Sequence, residues 1–138
     1  MTTVMVFGSF DVLHDGHRSL FRQARRLGDR LVVVVARDDT YRSLRGQEPL
    51  HDERERLRSV QDEPLVDEVL LGERKDVYRV LKRVRPDVVA LGYDQTSFTE
   101  GLRGKLDSYG LKKTSIVRLE SHSPGRFKSS LMKRAGGG

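Results

Sequence analysis

The chain has 138 residues and no cysteine, which suits one domain with its own core and excludes disulfides and thiolate metal sites. Its 26 Lys and Arg residues against 20 Asp and Glu residues give a net charge of +6, which favours anionic partners such as nucleotides. Aromatic residues do not interleave with the basic ones, as a surface that stacks on bases requires, so we expect no nucleic-acid partner. No apolar stretch approaches the ~20 residues of a membrane span and no signal peptide is visible, so we expect a cytoplasmic protein with no membrane partner.

Short apolar runs alternate with amphipathic segments along the chain. The apolar runs are rich in Val, Leu or Ile without polar alternation, which is typical of parallel strands covered on both faces. Strands are predicted at 4–7, 31–35, 69–71, 88–91 and 115–119, and helices at 15–27, 52–61, 76–84 and 99–109. Gly28 and Gly110 are predicted C-caps of the first and last helices, and Pro86 is expected to end the third.

The alternating order of elements predicts an α/β fold, a single doubly wound parallel five-stranded sheet with right-handed crossovers. We expect one domain over residues 1–134 and a disordered tail at 135–138. In such sheets ligands bind beyond the carboxyl ends of the strands, where the strand order reverses. The segments 8–17, 36–46 and 92–98 should therefore meet at the ligand site.

The stretch GSFDVLHDGH, residues 8–17, is the most informative part of the sequence. Gly8 and Ser9 let the backbone approach a ligand, and the start of the following helix offers unpaired N–H groups to an anion. His14 and His17 are three residues apart and can face one ligand from the first helical turn. Gly16 lacks a side chain that would block a phosphate.

Three interpretations of these histidines compete. They could be metal ligands, although no third ligand is obvious nearby. They could be surface residues beside a helix that Asp15 caps. They could instead contact phosphates, which the combination of glycine, two histidines and a strand-to-helix transition favours.

GSFDVLHDGH resembles the G-[ST]-F-D-x-x-H-x-G-H signature of the cytidylyltransferase-like nucleotidyltransferases, with Ser9 in place of the usual threonine. The resemblance continues through VVVVARDDTYRSLRG, ERERLRSV, VDEVLLG, RPDVVALGYDQ and PGRFKSSLMK, nearly the whole chain. VARDDT together with LGYDQT is similar to the archaeal-type FAD synthases, a branch that transfers AMP from ATP to FMN. Related branches transfer a nucleotide from CTP to glycerol 3-phosphate, or from ATP to phosphopantetheine.

The resemblance implies that His14 and His17 are catalytic, contacting the triphosphate and stabilising the reacting phosphorus. Asp94 matches an acidic position near the ribose or base. Phe127 and Lys128 replace a Gly-Ile pair of the cytidylyltransferase branch, which weakens the case for CTP. The complete set of nucleotide-binding residues that we predict is Gly8, Ser9, Phe10, His14, Asp15, Gly16, His17, Gly92, Asp94, Ser129 and Ser130.

The implied reaction is the transfer of AMP from ATP to FMN, giving FAD and pyrophosphate. Mg²⁺ is expected to arrive with ATP rather than on protein ligands, and relatives commonly form homodimers. The alternatives are a CTP-dependent transferase acting on glycerol 3-phosphate or a similar phosphorylated alcohol, and a non-catalytic nucleotide- or nucleic-acid-binding module. Further candidates are the cations Arg37, Arg45 and Lys128, and four aromatic walls for a flavin ring, namely Tyr41, Tyr93, Phe98 and Phe127.

Overall fold

The computed structural model describes residues 1–74, 76–96 and 98–121. Five parallel strands form one sheet in the order β3-β2-β1-β4-β5, so the predicted doubly wound α/β fold is confirmed. The strands are β1 (Thr3–Gly8), β2 (Arg30–Val35), β3 (Glu68–Leu71), β4 (Val88–Leu91) and β5 (Ser115–Arg118).

Helices cover both faces of the sheet. They are α1 (Asp15–Arg25), α2 (Asp38–Arg45), α3 (Glu53–Gln61), α4 (Val80–Val84), which follows a 3₁₀ turn at Val77–Arg79, and α5 (Leu102–Ser108). Residues of α1 and α3 pack on one face, and residues of α4 and α5 pack on the other. In the part of the chain that the structure describes, no helix is long and apolar enough to cross a membrane.

The central strand β1 shows why the sequence lacks polar alternation. Val4 and Val6 belong to the core on the α1 side, while Met5 and Phe7 belong to the core on the α5 side. All four side chains are buried. Because successive strand residues point to opposite faces, a strand covered on both sides must be apolar at every position.

Helix α2 is not among the predicted helices; the sequence places residues 36–46 at the ligand site without assigning them a helix. Only Tyr41 of this helix is buried, so its sequence lacks the apolar periodicity that indicates a helix. Its ends carry the expected charges, with Asp38 and Asp39 in the first turn and Arg42 and Arg45 in the last.

The predicted C-cap at Gly28 is wrong, because α1 ends at Arg25 and Arg26 occupies the cap position. A Cβ atom on Gly28 would lie 2.6 Å from the carbonyl oxygen of Thr2, so this glycine permits close approach to the start of β1. At α5 the cap position belongs to Tyr109, and the predicted Gly110 follows it in the left-handed conformation with φ of 77°. Arg85 caps α4, and the predicted Pro86 comes next.

Gly28→Ala and Gly104→Ala make a matched pair of stability variants. The Cβ at position 28 meets backbone, so we expect a loss of about 1–3 kcal/mol in the free energy of unfolding. The Cβ at position 104, inside α5, meets nothing within 4 Å, so we expect a gain of about 0.5–1 kcal/mol. Urea unfolding measures both, and equal effects of the two substitutions would contradict the close approach at Gly28.

Candidate active site

A cavity of about 450 Å³ opens at the carboxyl edge of the sheet, where β1 and β4 lie side by side and the strand order reverses. This is the position at which open α/β sheets bind ligands. The cavity is lined by Phe7, Gly8, Ser9, Phe10, His17, Leu20, Leu44, Arg45, Gly92, Asp94, Gln95, Thr96 and Phe98.

Six of the predicted nucleotide-binding residues line this cavity, namely Gly8, Ser9, Phe10, His17, Gly92 and Asp94. His14, Asp15 and Gly16 lie beside it at the start of α1, outside its lining. Ser129, Ser130, Phe127 and Lys128, together with the tail 135–138, lie outside the described residues. Leu44 and Arg45 also line the cavity, so the structure brings together all three predicted segments, 8–17, 36–46 and 92–98.

The two histidines form a reciprocal cap at the start of α1. Nδ1 of His14 accepts the N–H of Gly16 at 3.0 Å, and Nδ1 of His17 accepts the N–H of His14 at 3.3 Å. The cap is therefore His14, and not Asp15 as the structural alternative supposed. A Cβ on Gly16 would lie 2.8 Å from Cε1 of His14, so this glycine makes room for the histidine ring rather than only for a ligand.

The cap determines which ring nitrogen can donate a hydrogen bond. Since Nδ1 of each ring accepts a backbone N–H, the proton of each neutral imidazole resides on Nε2. The two rings are stacked with their centroids 4.0 Å apart. In the neutral form, His14 and His17 therefore each have their donor at Nε2.

His17 is held neutral by its surroundings. Burial, the neighbouring His14 and the Arg18 guanidinium lower the pKa of His17 from 6.5 to about 4, although a hydrogen bond with the Val12 backbone acts in the opposite direction. Phe10 packs edge-on against the ring, with centroids 5.2 Å apart. At neutral pH the ring is thus a hydrogen-bond donor without a charge.

Asp11 is a positioning residue that the sequence did not single out. Its carboxylate accepts the N–H of Leu50 at 2.8 Å and of His51 at 2.9 Å. Burial opposes ionisation of Asp11, but these backbone N–H groups, His51 and the Tyr41 hydroxyl outweigh it and lower its pKa. Asp11 thus holds the segment between α2 and α3 in place through hydrogen bonds. Its position within the motif GSFDVLHDGH was the only sign in the sequence that it has a role at the site.

The two predicted cations within the described residues differ in their contacts. Arg37 donates to the carbonyl of Gly72 and pairs with Glu53, so it is engaged away from the cavity. Arg45 lines the cavity, and its Cζ atom lies 5.3 Å from the centroid of the Tyr41 ring. Within the described ranges it forms no ion pair. Arg45 is therefore the cation placed to meet an anionic ligand.

The predicted aromatic walls separate in the same way. Phe98 lines the cavity and packs on Phe7 with centroids 5.7 Å apart. Tyr41 is buried and Tyr93 is exposed, and neither lines the cavity. An aliphatic side chain that sequence reasoning missed, Leu44, lines the cavity while remaining 47% exposed.

Among the described residues, no group of three or more His, Asp or Glu side chains could hold a metal ion. Both histidine Nδ1 atoms accept helix N–H groups, and both Asp11 carboxylate oxygens accept backbone N–H groups.

Residues 5–135 match the family model described as cytidylyltransferase-like. The chain belongs to this family. Similar relatives include the FAD synthase of Thermoplasma acidophilum, 42% identical over 134 residues that cover 97% of this chain and 92% of the relative. The FAD synthase of Methanosarcina barkeri is 43% identical over 119 residues, which cover 86% of this chain and 84% of that protein.

Solved structures of similar chains share the fold. The lipopolysaccharide core biosynthesis protein from Thermoplasma volcanium superposes with a TM-score of 0.81 at 40% identity, over 88% of this chain and 98% of that one. Pantothenate synthetase from Thermus thermophilus gives a TM-score of 0.57 at 16% identity, over 98% of this chain and 65% of that one, a likeness of fold alone. The cytidylyltransferase-like fold is thus common to proteins with different names.

The lowered pKa of His17 predicts a pH-dependent stability. The unfolded chain takes up a proton at the ordinary pKa of 6.5, whereas the folded chain does so only near pH 4, so the neutral ring's contribution is complete above pH 6.5 and is lost as the pH falls towards 4. We expect the free energy of unfolding to fall more steeply across this window in the wild type than in His17→Gln. Urea titrations at several pH values measure both slopes, and parallel curves would contradict the assignment.

Proposed function

We propose that this chain is an FMN adenylyltransferase, which transfers AMP from ATP to FMN and releases pyrophosphate. The observation that carries the proposal is the identity of 42% with a FAD synthase over 97% of the chain. The cavity at the strand reversal, with its imidazole donors, supplies a site that suits this chemistry. We propose one catalytic domain over residues 1–134.

The reaction is a single displacement at phosphorus. A phosphate oxygen of FMN attacks the α-phosphorus of ATP, forming the new P–O bond, while the bond from the α-phosphorus to the bridging oxygen breaks and pyrophosphate departs with the electron pair. Negative charge grows on the leaving group and on the equatorial oxygens, so catalysis rests on positioning and on donors aimed at that charge.

The chain's own groups have distinct tasks in this proposal. The Nε2–H groups of His14 and His17 donate to phosphate oxygens, and the start of α1 adds its dipole. Arg45 supplies the positive charge. Asp94, exposed at the cavity after β4, contacts the ribose or base.

A divalent cation, Mg²⁺ or another, enters with the ATP oxygens in this proposal and neutralises part of the triphosphate charge. We assign it no protein ligand. The predicted roles of Ser129 and Ser130, the homodimer and the cytoplasmic location stay predictions.

A matrix of nucleotides and acceptors tests the proposed reaction. We expect pyrophosphate release with ATP and FMN, and FAD as the second product by chromatography. ATP or CTP is combined in turn with FMN, glycerol 3-phosphate and phosphopantetheine in the presence of Mg²⁺. Release only with CTP and glycerol 3-phosphate would assign the chain to the alternative transferase, and release with no pair would indicate a binding module.

Two substitutions separate capping from catalysis. Asn is a good N-cap residue and Gln suits the third helical position, so His14→Asn and His17→Gln keep acceptors for the helix N–H groups while removing the imidazole donors. We expect melting temperatures near wild type and turnover lower by about a hundredfold or more. His14→Ala, the control that also loses the cap, should cost about 1 kcal/mol of stability.

Steady-state pyrophosphate release and thermal melts measure these effects. Near-normal turnover in both His14→Asn and His17→Gln would contradict a catalytic requirement for the imidazole rings.

A further inference from the structure

Arg56, in α3, is fully buried, and it is the one buried charged side chain within the ranges that the structure describes. A guanidinium group removed from water is tolerated only when hydrogen bonds and an opposite charge satisfy it. The hydrogen-bond acceptors around the Arg56 guanidinium therefore indicate its structural role.

Four acceptors surround the guanidinium, and they come from three separate segments. Nη1 donates to the carbonyl oxygens of Ser9 at 2.9 Å and Ala36 at 2.8 Å. Nη2 donates to Oδ1 of Asp38 at 2.7 Å, and Nε donates to the carbonyl oxygen of His51 at 2.9 Å. One side chain thus joins the segments that follow β1 and β2 with the segment that precedes α3.

The hydrogen bonds to Ser9 and Ala36 continue the link between the β1 and β2 segments beyond the last backbone hydrogen bond that joins them. Neighbouring strands β1 and β2 end with the N–H of Ala36 donating to the carbonyl of Gly8 at 2.9 Å. The next carbonyls, those of Ser9 and Ala36, share Nη1 of Arg56 as their donor. The backbone at the edge of the cavity is therefore fixed by a side chain instead of a strand.

This fixation sets the direction of the peptide between Ser9 and Phe10. The bond is trans, so its N–H points opposite to its carbonyl and away from Arg56. Both residues line the cavity, and the N–H of Phe10 has no hydrogen-bond partner within the described residues. Phe10 adopts φ of 53°, a conformation that costs energy unless its surroundings impose it.

We propose that Arg56 is a positioning residue for nucleotide binding: it holds the Ser9 carbonyl so that the N–H of Phe10 is presented to the phosphates. The inference rests on the proposed function for the identity of the ligand. Arg56 itself touches no substrate, being fully buried. Its planar fork reaches several carbonyls at once, which the single nitrogen of a lysine does not reproduce.

The test compares Arg56→Lys with Val60→Ala. Val60 lies one helical turn further along α3, is fully buried, and has no place in the cavity lining, so its substitution loosens the same helix without touching Ser9. Urea unfolding measures the loss of stability in each variant. Pyrophosphate release then gives kcat and KM for ATP at a temperature where circular dichroism shows both variants folded.

We expect kcat/KM for ATP to fall about tenfold to a hundredfold in Arg56→Lys and to stay near wild type in Val60→Ala. A helix-stabilising role alone predicts losses of kcat/KM that follow the loss of stability in both variants. Equal kcat/KM values in the two variants would therefore overturn the proposal.

A second measurement uses the wild-type protein, so it stands even where Arg56→Lys does not fold. The amide resonance of Phe10 in ¹⁵N-phenylalanine-labelled protein should shift when a non-hydrolysable ATP analogue is added. No shift at saturating analogue would overturn the proposal. A shift of Phe10 in a protein that releases no pyrophosphate with FMN would support the contact between Phe10 and the phosphates and overturn the FMN assignment.

Discussion

The site depends on the reversal of strand order between β1 and β4. The chain leaves the carboxyl end of β1 through α1 on one face of the sheet, whereas it leaves the carboxyl end of β4 through α5 on the opposite face. Two neighbouring strands therefore carry connections that diverge, and a crevice remains above their carboxyl ends. The cavity lies there, lined from one side by Gly8 to Phe10 and from the other by Gly92 and Asp94 to Thr96.

The histidine pair combines two tasks that are usually assigned to different residues. A helix start needs acceptors for its free N–H groups, and a phosphate site needs donors. Imidazole supplies an acceptor at Nδ1 and a donor at Nε2 in one ring, provided that it is neutral. Burial and the neighbouring charges keep His17 in that state. The capping contact and the proposed phosphate contact therefore require the same tautomer.

Positive charge in this protein serves different purposes according to its location. The formal net charge of +6 favours anionic partners, but it does not indicate which cations meet them. Arg56 donates its hydrogen bonds to backbone carbonyls and to Asp38. Arg37 pairs with Glu53 and donates to the carbonyl of Gly72. Arg45 is left at the cavity. A charge count thus becomes a functional statement only once the contacts of each side chain are known.

The fold was predictable because its signals are local. Apolar strands without polar alternation require cover on both faces, and their alternation with helices leaves the doubly wound sheet as the natural arrangement. Helix α2 could not be predicted because it has one buried residue, Tyr41, and a single apolar position shows no helical periodicity. Gly28 was misassigned for a related reason, because its close neighbour is Thr2, 26 positions earlier in the chain.

For the site, the sequence by itself determined the motif at 8–17, its place after the first strand and the residues that resemble a nucleotidyltransferase signature. The tertiary structure alone decided that His14 rather than Asp15 caps α1, that Asp11 holds residues 50 and 51, and that Arg56 is buried against Ser9. Each of these depends on contacts between segments or on ring orientation. Residue types and their spacing record local conformational preference, whereas the partner of a buried polar group is chosen by the packing of the whole chain.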